Sequence, residues 1–219
     1  MKKIIFLLLA ALGCSGEMRG QVPPVDAVLG QVRECDLFFQ VADVSNAITD
    51  VTRGTGGLRI EHVGIYAKRD GKPVIIEAIP ERGVCETPLD SFLSRNALPD
   101  GTPMVVVGRV GGRLDLRRSL LRARGYLGCG YDSLYLPDNK EIYCSELVQK
   151  SFVDTAGCPV FVPVPMSFRD SGGNIPDYWT RFYARHGMPV PEGAPGTNPG
   201  ELSRRPNVRI VLDLTAAGR

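Results

Sequence analysis

Apolar positions along the chain change period near its middle. Before that point they form short β-branched or aromatic runs, Cys35 to Val41, Ile60 to Tyr66, Pro73 to Ile79 and Met104 to Val110. Each run reads as a strand. Asp70-Gly71, between the second and third, has the composition of a tight hairpin turn. A short helix is expected over Ala42 to Thr52, a plain connection over Glu81 to Asp90, and a helical turn over Pro88 to Ser94. Beyond Val110 the spacing becomes helical. Leu114 to Tyr126 predicts a basic amphipathic helix with Leu116, Leu120 and Leu121 inward. Asn174-Ile175-Pro176-Asp177 predicts a capped helix start. The stripe that follows, Ile175, Tyr178, Trp179, Phe182 and Tyr183, reads as core. Gly187 to Pro206 reads as a Pro/Gly-rich loop, mobile or a lid, and Val208 to Leu214 as a closing strand.

One helical segment carries candidate chemistry. Cys144, Leu147, Val148, Ser151 and Phe152 share a stripe, with Cys144 in the first turn. Orphan N–H groups and the positive end of the helix dipole favour a thiolate there. A small buried hydrophobe is the plainer account of such a cysteine. Two strand residues shift the balance toward chemistry. His62 shares a face with Gly64 and Tyr66, opposite Glu61, Val63 and Ile65, and Gly64 leaves that face open. Glu77 interrupts an apolar strand, where a lone carboxylate must be exposed, paired or functional. A cysteine nucleophile needs a base, and the base a group that fixes its tautomer. Of the two histidines, His186 is explained by a helix C-terminus, which leaves His62 as the base candidate.

Length and charge narrow the class. A chain of 219 residues suits one domain, and 26 basic against 24 acidic residues gives no reason to expect nucleic acid. Lys2, Lys3 and the apolar run Ile4 to Leu12 read as a signal peptide over residues 1–13. Ala11-Leu12-Gly13-Cys14 resembles the lipobox of bacterial lipoproteins, which implies lipidation of Cys14 and a tether over residues 14–28. A single domain over residues 29–219 would then sit in the cell envelope, held to a membrane by its lipid; secretion is the alternative. Cys35, Cys85, Cys129, Cys144 and Cys158 remain, an odd number, so at least one thiol is free or pairs between chains. Which of Cys35, Cys85, Cys129 and Cys158 pair is open, as is the oligomeric state. With no CxxC and two distant histidines, a zinc cluster is not indicated, and no cofactor is called for.

Asp36-Leu37-Phe38-Phe39, His62-Val63-Gly64-Ile65-Tyr66, Ile76-Glu77-Ala78 with Gly83-Val84, and Tyr143-Cys144-Ser145-Glu146-Leu147-Val148 together resemble the YiiX/YaeF-like group. That group is a circularly permuted branch of the NlpC/P60 papain-like cysteine hydrolases, related to lecithin:retinol acyltransferase-like proteins. The resemblance implies an α+β, circularly permuted papain-like fold, with an antiparallel sheet or small barrel packed against helices. It implies Cys144 as nucleophile, His62 as general base and Glu77 as the group orienting the imidazole. Asp36 matches an acid at a strand start with a structural or pocket role, and Tyr131 and Tyr143 are candidates for the pocket or an oxyanion site. Cys35 departs from the pattern, standing where members commonly have glycine. The implied activity is a cell-envelope amidase or peptidase forming an acyl-enzyme on Cys144, with cell-wall peptide one candidate substrate. Two alternatives stand beside it: an acyltransferase or lipid/N-acyl hydrolase, and a non-catalytic envelope lipoprotein that binds a ligand. The substrate class is accordingly a peptide or acyl-containing small molecule.

Overall fold

Strand β1 (Leu37–Val41) is buried along its whole length, because helices cover both faces of the sheet it centres. The computed structural model describes residues 28–137 and 139–215. The signal peptide, Cys14 and all but the last residue of the tether lie outside them. The strands β2 (Ile60–Arg69), β3 (Lys72–Ile79), β4 (Gly83–Pro88), β5 (Val105–Val110) and β8 (Val208–Asp213) join β1 in an open six-stranded sheet. Its order is β4-β3-β2-β1-β5-β8, and every pairing is antiparallel. Asp70 and Gly71 both adopt positive φ, 51° and 76°, as a two-residue hairpin turn between β2 and β3 requires.

Alternation along the strands sorts the core into two layers. Leu37, Phe39, Val63, Ile65 and Ile76 face helices α3 (Leu116–Gly125) and α4 (Cys144–Ser151), meeting Leu120, Ala123, Leu147 and Val148. Phe38, Tyr66 and Ile75 face the other way, onto Leu89, Phe92 and Leu93 of α2 (Leu89–Arg95). Val28 joins that second layer. Burying each such Leu, Ile or Phe contributes about 2 kcal/mol. A third, aromatic cluster forms where α5 (Asp177–Arg185) brings Trp179 and Tyr183 against Met166 and Phe168.

Several expected elements shift. The connection Glu81 to Asp90 contains β4, an edge strand whose Glu86 and Pro88 hide its pattern, as edge strands tend to. Helix α1 (Ala47–Val51) is shorter than expected, because Asn46 caps it by accepting the N–H groups of Ile48 and Thr49. In α3 only Leu120 of the three leucines is inward. Ser119 and Ala123 complete the buried stripe, and Leu116 and Leu121 stand 40% and 59% exposed. Helix α5 begins at Asp177, not at an Asn174 cap, since Asp170 takes the Asn174 N–H into a turn. The Gly187 to Pro206 stretch holds strand β7 (Pro195–Gly196), paired with β6 (Val164–Pro165), and helix α6 (Pro199–Ser203). The five described cysteines carry free thiols.

Gly64 sits where β2 passes β3. A Cβ there would stand 2.2 Å from Ile75 Cγ2 and 3.4 Å from Glu77 Cβ. Ile75 is fully buried and has no room to move aside. Gly64→Ala is therefore expected to lower unfolding stability by about 2 kcal/mol. Urea denaturation of the two proteins measures this, with a smaller loss at an open glycine such as Gly125 as the control.

Candidate active site

The sheet opens where the candidate residues gather. β2 and β3 pair from Ile65↔Ile76 to Arg69↔Lys72, while β3 continues alongside β4 to Ile79. Past Ile65 β2 and β3 lose their ladder, and His62 and Glu77 face each other across the opening. Gly64 between them carries no side chain, so the imidazole reaches Glu77 directly, Nε2 to Oε2 at 2.8 Å.

Glu77 is wholly buried, and its carboxylate is filled on every side. Thr87 Oγ1 donates to Oε1 at 2.6 Å. Arg95 Nη2 donates to Oε1 at 2.9 Å and Oε2 at 2.7 Å. Burial alone would raise its pKa, but His62, Arg95 and Thr87 together hold it down to about 2. An ionised carboxylate only accepts, so the His62 proton facing it sits on Nε2. That leaves Nδ1 for the ring's other hydrogen-bonding neighbour, the Cys144 thiol. Burial opposes charge on His62, yet Cys144 and Glu77 outweigh it and raise the imidazole to about 9. The three residues expected to act together are thus brought together.

Cys144 opens α4. Its N-cap is Tyr143, whose N–H reaches Glu146 Oε2 at 3.4 Å, and Glu146 is itself tied to Lys150 at 2.6 Å. The first-turn N–H groups beside the thiol have no intrahelical acceptor. Leu147, Val148 and Phe152 anchor the helix on the sheet, and Ser145 Oγ ties it to the Thr197 carbonyl at 3.3 Å. Cys144 lies in the wall of a narrow slot of about 60 Å3, lined mainly by Ile48, Val51, Tyr131, Tyr135, Tyr143, Met166, Phe168 and Trp179. His62 instead lines an adjoining cleft of about 430 Å3, with Gln40, Asn46, Glu81, Arg95 and Asn96. Ile48, Glu61 and Tyr131 belong to both walls and form the ridge between them.

The remaining candidates separate. Tyr131 stands beside Cys144, and burial, then the charge of Cys144, push its pKa up, so its phenol stays neutral with its proton turned to Tyr135. Tyr143 lines the slot with its ring, but its hydroxyl contacts Met166 Sδ at 3.8 Å and accepts the Thr197 N–H at 3.3 Å. Asp36 lines neither wall. It is buried at the start of β1, where Arg109 clamps it with bonds of 2.9 and 2.7 Å and the Arg33 N–H caps it at 2.8 Å. Cys35 beside it takes a φ of 68°, a conformation glycine adopts without strain.

With this geometry in view, comparison with known proteins is specific. The family described as permuted papain-like amidase enzyme, YaeF/YiiX, C92 family, matches residues 31–212. The chain belongs to this family. A crystal structure of metalloprotein yiiX from Escherichia coli O157:H7 resembles the YaeF/YiiX chain described here with a TM-score of 0.64 and 25% identity, covering 84% of this chain and 98% of that one. No curated protein matches. The term metalloprotein belongs to that relative. Among the described residues of this YaeF/YiiX-family chain, no group of three or more His, Cys, Asp or Glu side chains is placed to hold a metal ion.

Arg95, Thr87 and Gln40 escaped the sequence reading. A buried carboxylate in a strand demands a cation, which signals that some arginine or lysine must serve Glu77, but spacing does not select Arg95 from 26 basic residues. Trp179 reads as core in the sequence, which it is, but not as a wall of the slot, and Tyr135 is not singled out.

Glu77→Gln would remove the charge that Arg95 and His62 share. Arg95 is 38% exposed, so water compensates part of the loss, and a destabilisation of about 2 kcal/mol is expected at neutral pH. The pH signs differ for the two partners. The Glu77 contribution is present above about 4.5 and lost as pH falls through about 2; the His62 contribution is present below about 6.5 and lost as pH rises through about 9. Thermal melts of wild type and Glu77→Gln across this range should converge at the acid end.

Proposed function

We propose that this chain is a cell-envelope cysteine amidase that cleaves an amide bond through an acyl-enzyme on Cys144. The observation that carries the reading is the His62 imidazole, bonded to the ionised Glu77 and raised in pKa by its interaction with the Cys144 thiol at a helix N-terminus. With the proton already held by the His62 imidazolium, the Cys144 sulfur attacks the carbonyl carbon. Negative charge then collects on the carbonyl oxygen, where the first-turn N–H groups of α4 are the available donors. The C–N bond breaks as His62 gives its proton to the leaving amine, and the acyl group remains on sulfur as a thioester. His62, neutral again, takes a proton from water as the water attacks the thioester, and the acid departs. Glu77 holds the ring's tautomer throughout.

The slot beside Cys144 favours one substrate class over another. Its lining of aromatic and aliphatic side chains suits an apolar acyl group, and its narrowness suits a single chain or ring edge. This supports an N-acyl amide or lipid-derived substrate over the strongly polar stem peptide of a cell wall. A lipid on Cys14 would hold the domain near such substrates. A purely ligand-binding role leaves the buried carboxylate and its three donors without a purpose, since an apolar residue there would be cheaper to bury.

Incubation with a panel of amides and esters, aromatic or aliphatic acyl against polar peptide, followed by intact mass, tests the reading. A mass increase equal to the acyl group is expected on wild type and absent from Cys144→Ala, with kcat/KM down at least about 10^4-fold. Labelling that survives Cys144→Ala would sink the proposal. Amide cleavage should also decline as pH rises through about 9, where the imidazolium needed by the leaving amine is lost.

A further inference from the structure

His62 must stand over the bond it protonates, so the departing amine lies on the His62 side of the ridge and the acyl group on the Cys144 side. The two walls share Ile48, Glu61 and Tyr131, whereas Gln40 lines the His62 cleft and not the Cys144 slot. Gln40 is the residue directly across from His62 in the β1–β2 ladder, so the two side chains stand next to each other on one face. It is 7% exposed, and its Nε2 has no hydrogen-bond partner. A buried amide donor left unpaired costs stability unless something else completes it. Three of the neighbouring polar side chains are already engaged. Arg95 serves Glu77, Asn96 Nδ2 donates to the Phe92 carbonyl at 2.9 Å, and Asn46 is held by Glu61 and its own helix cap.

We propose that the cleft beside His62 is the leaving-group subsite and that Gln40 donates a hydrogen bond to a carbonyl oxygen carried by the departing amine. This rests on the acyl-enzyme reading above and extends it to the other half of the substrate. The class indicated is an amide joining an apolar acyl group to an amine that bears its own carbonyl, as an amino acid or amino-acid amide does. Gln40 acts here as a specificity-determining residue.

Running the step backwards isolates this contact. The acyl-enzyme is formed from p-nitrophenyl phenylacetate, releasing p-nitrophenol, and is then captured by an added amine. The amine nitrogen bonds to the thioester carbon, the C–S bond breaks, the Cys144 thiol is regenerated, and a phenylacetyl amide leaves. Glycinamide, which has the carbonyl, is compared with propylamine, which lacks it, at equal concentrations of free amine, and both amides are quantified by mass. The glycinamide-to-propylamine ratio in wild type, divided by the same ratio in Gln40→Ala, cancels the intrinsic reactivity of the amines. That quotient is expected near tenfold. Gln40→Met, closer in volume and without a donor, should give the same quotient and guards against a packing effect. A quotient near one in both variants overturns the subsite assignment while leaving the acyl-enzyme reading intact. Failure to form any Cys144 acyl-enzyme in wild type overturns both.

Discussion

The arrangement depends on one buried carboxylate. Glu77 sits two residues from the end of β3 with no access to water, and it tolerates that position because Thr87, Arg95 and His62 all donate to it. Each donor comes from a different element: β4, α2 and β2. The same set that makes burial tolerable also selects the His62 tautomer and presents the other ring nitrogen to Cys144. Stability and chemistry therefore share a single group, and neither can be altered without the other.

Two further constraints surround it. The β2–β3 ladder must end at Ile65↔Ile76 so that His62 can turn toward Glu77, and Gly64 keeps that space empty. Helix α4 must then present its first turn from its own side of the sheet. Its apolar stripe does this, with Leu147 and Val148 fully buried against β2 and β3 residues. The consequence is a divided site in which thiol and imidazole meet at a ridge, with an apolar slot on one side and a polar cleft on the other. An amide spanning that ridge would place unlike chemistry on its two halves.

Much of this was legible in the chain itself. Strands buried on both faces read as continuous apolar runs, so β1, β2, β3 and β5 stand out, and the family motifs match the mixed sheet-and-helix fold found. The edge strand β4 did not, because an edge keeps polar residues and proline that a central strand excludes. The inward face of α3 was misread because leucines outrank Ser119 and Ala123 on any hydrophobic pattern, whereas close helix packing favours the small residues. His62 and Glu77 were visible because each is costly in an apolar strand. Arg95 and Gln40 were not, since a surface-type residue shows its purpose only once strand register and the turn of α2 set it against a partner.

The central claim is that Cys144 and Glu77 jointly keep the His62 imidazole charged. Nitrogen-15 NMR titration of His62 in wild type and Cys144→Ala tests it directly. The account predicts a midpoint near 9 in wild type and a clearly lower one in Cys144→Ala, where burial is opposed by Glu77 alone. Equal midpoints in the two proteins, or a wild-type value near the ordinary histidine value of about 6.5, would contradict it.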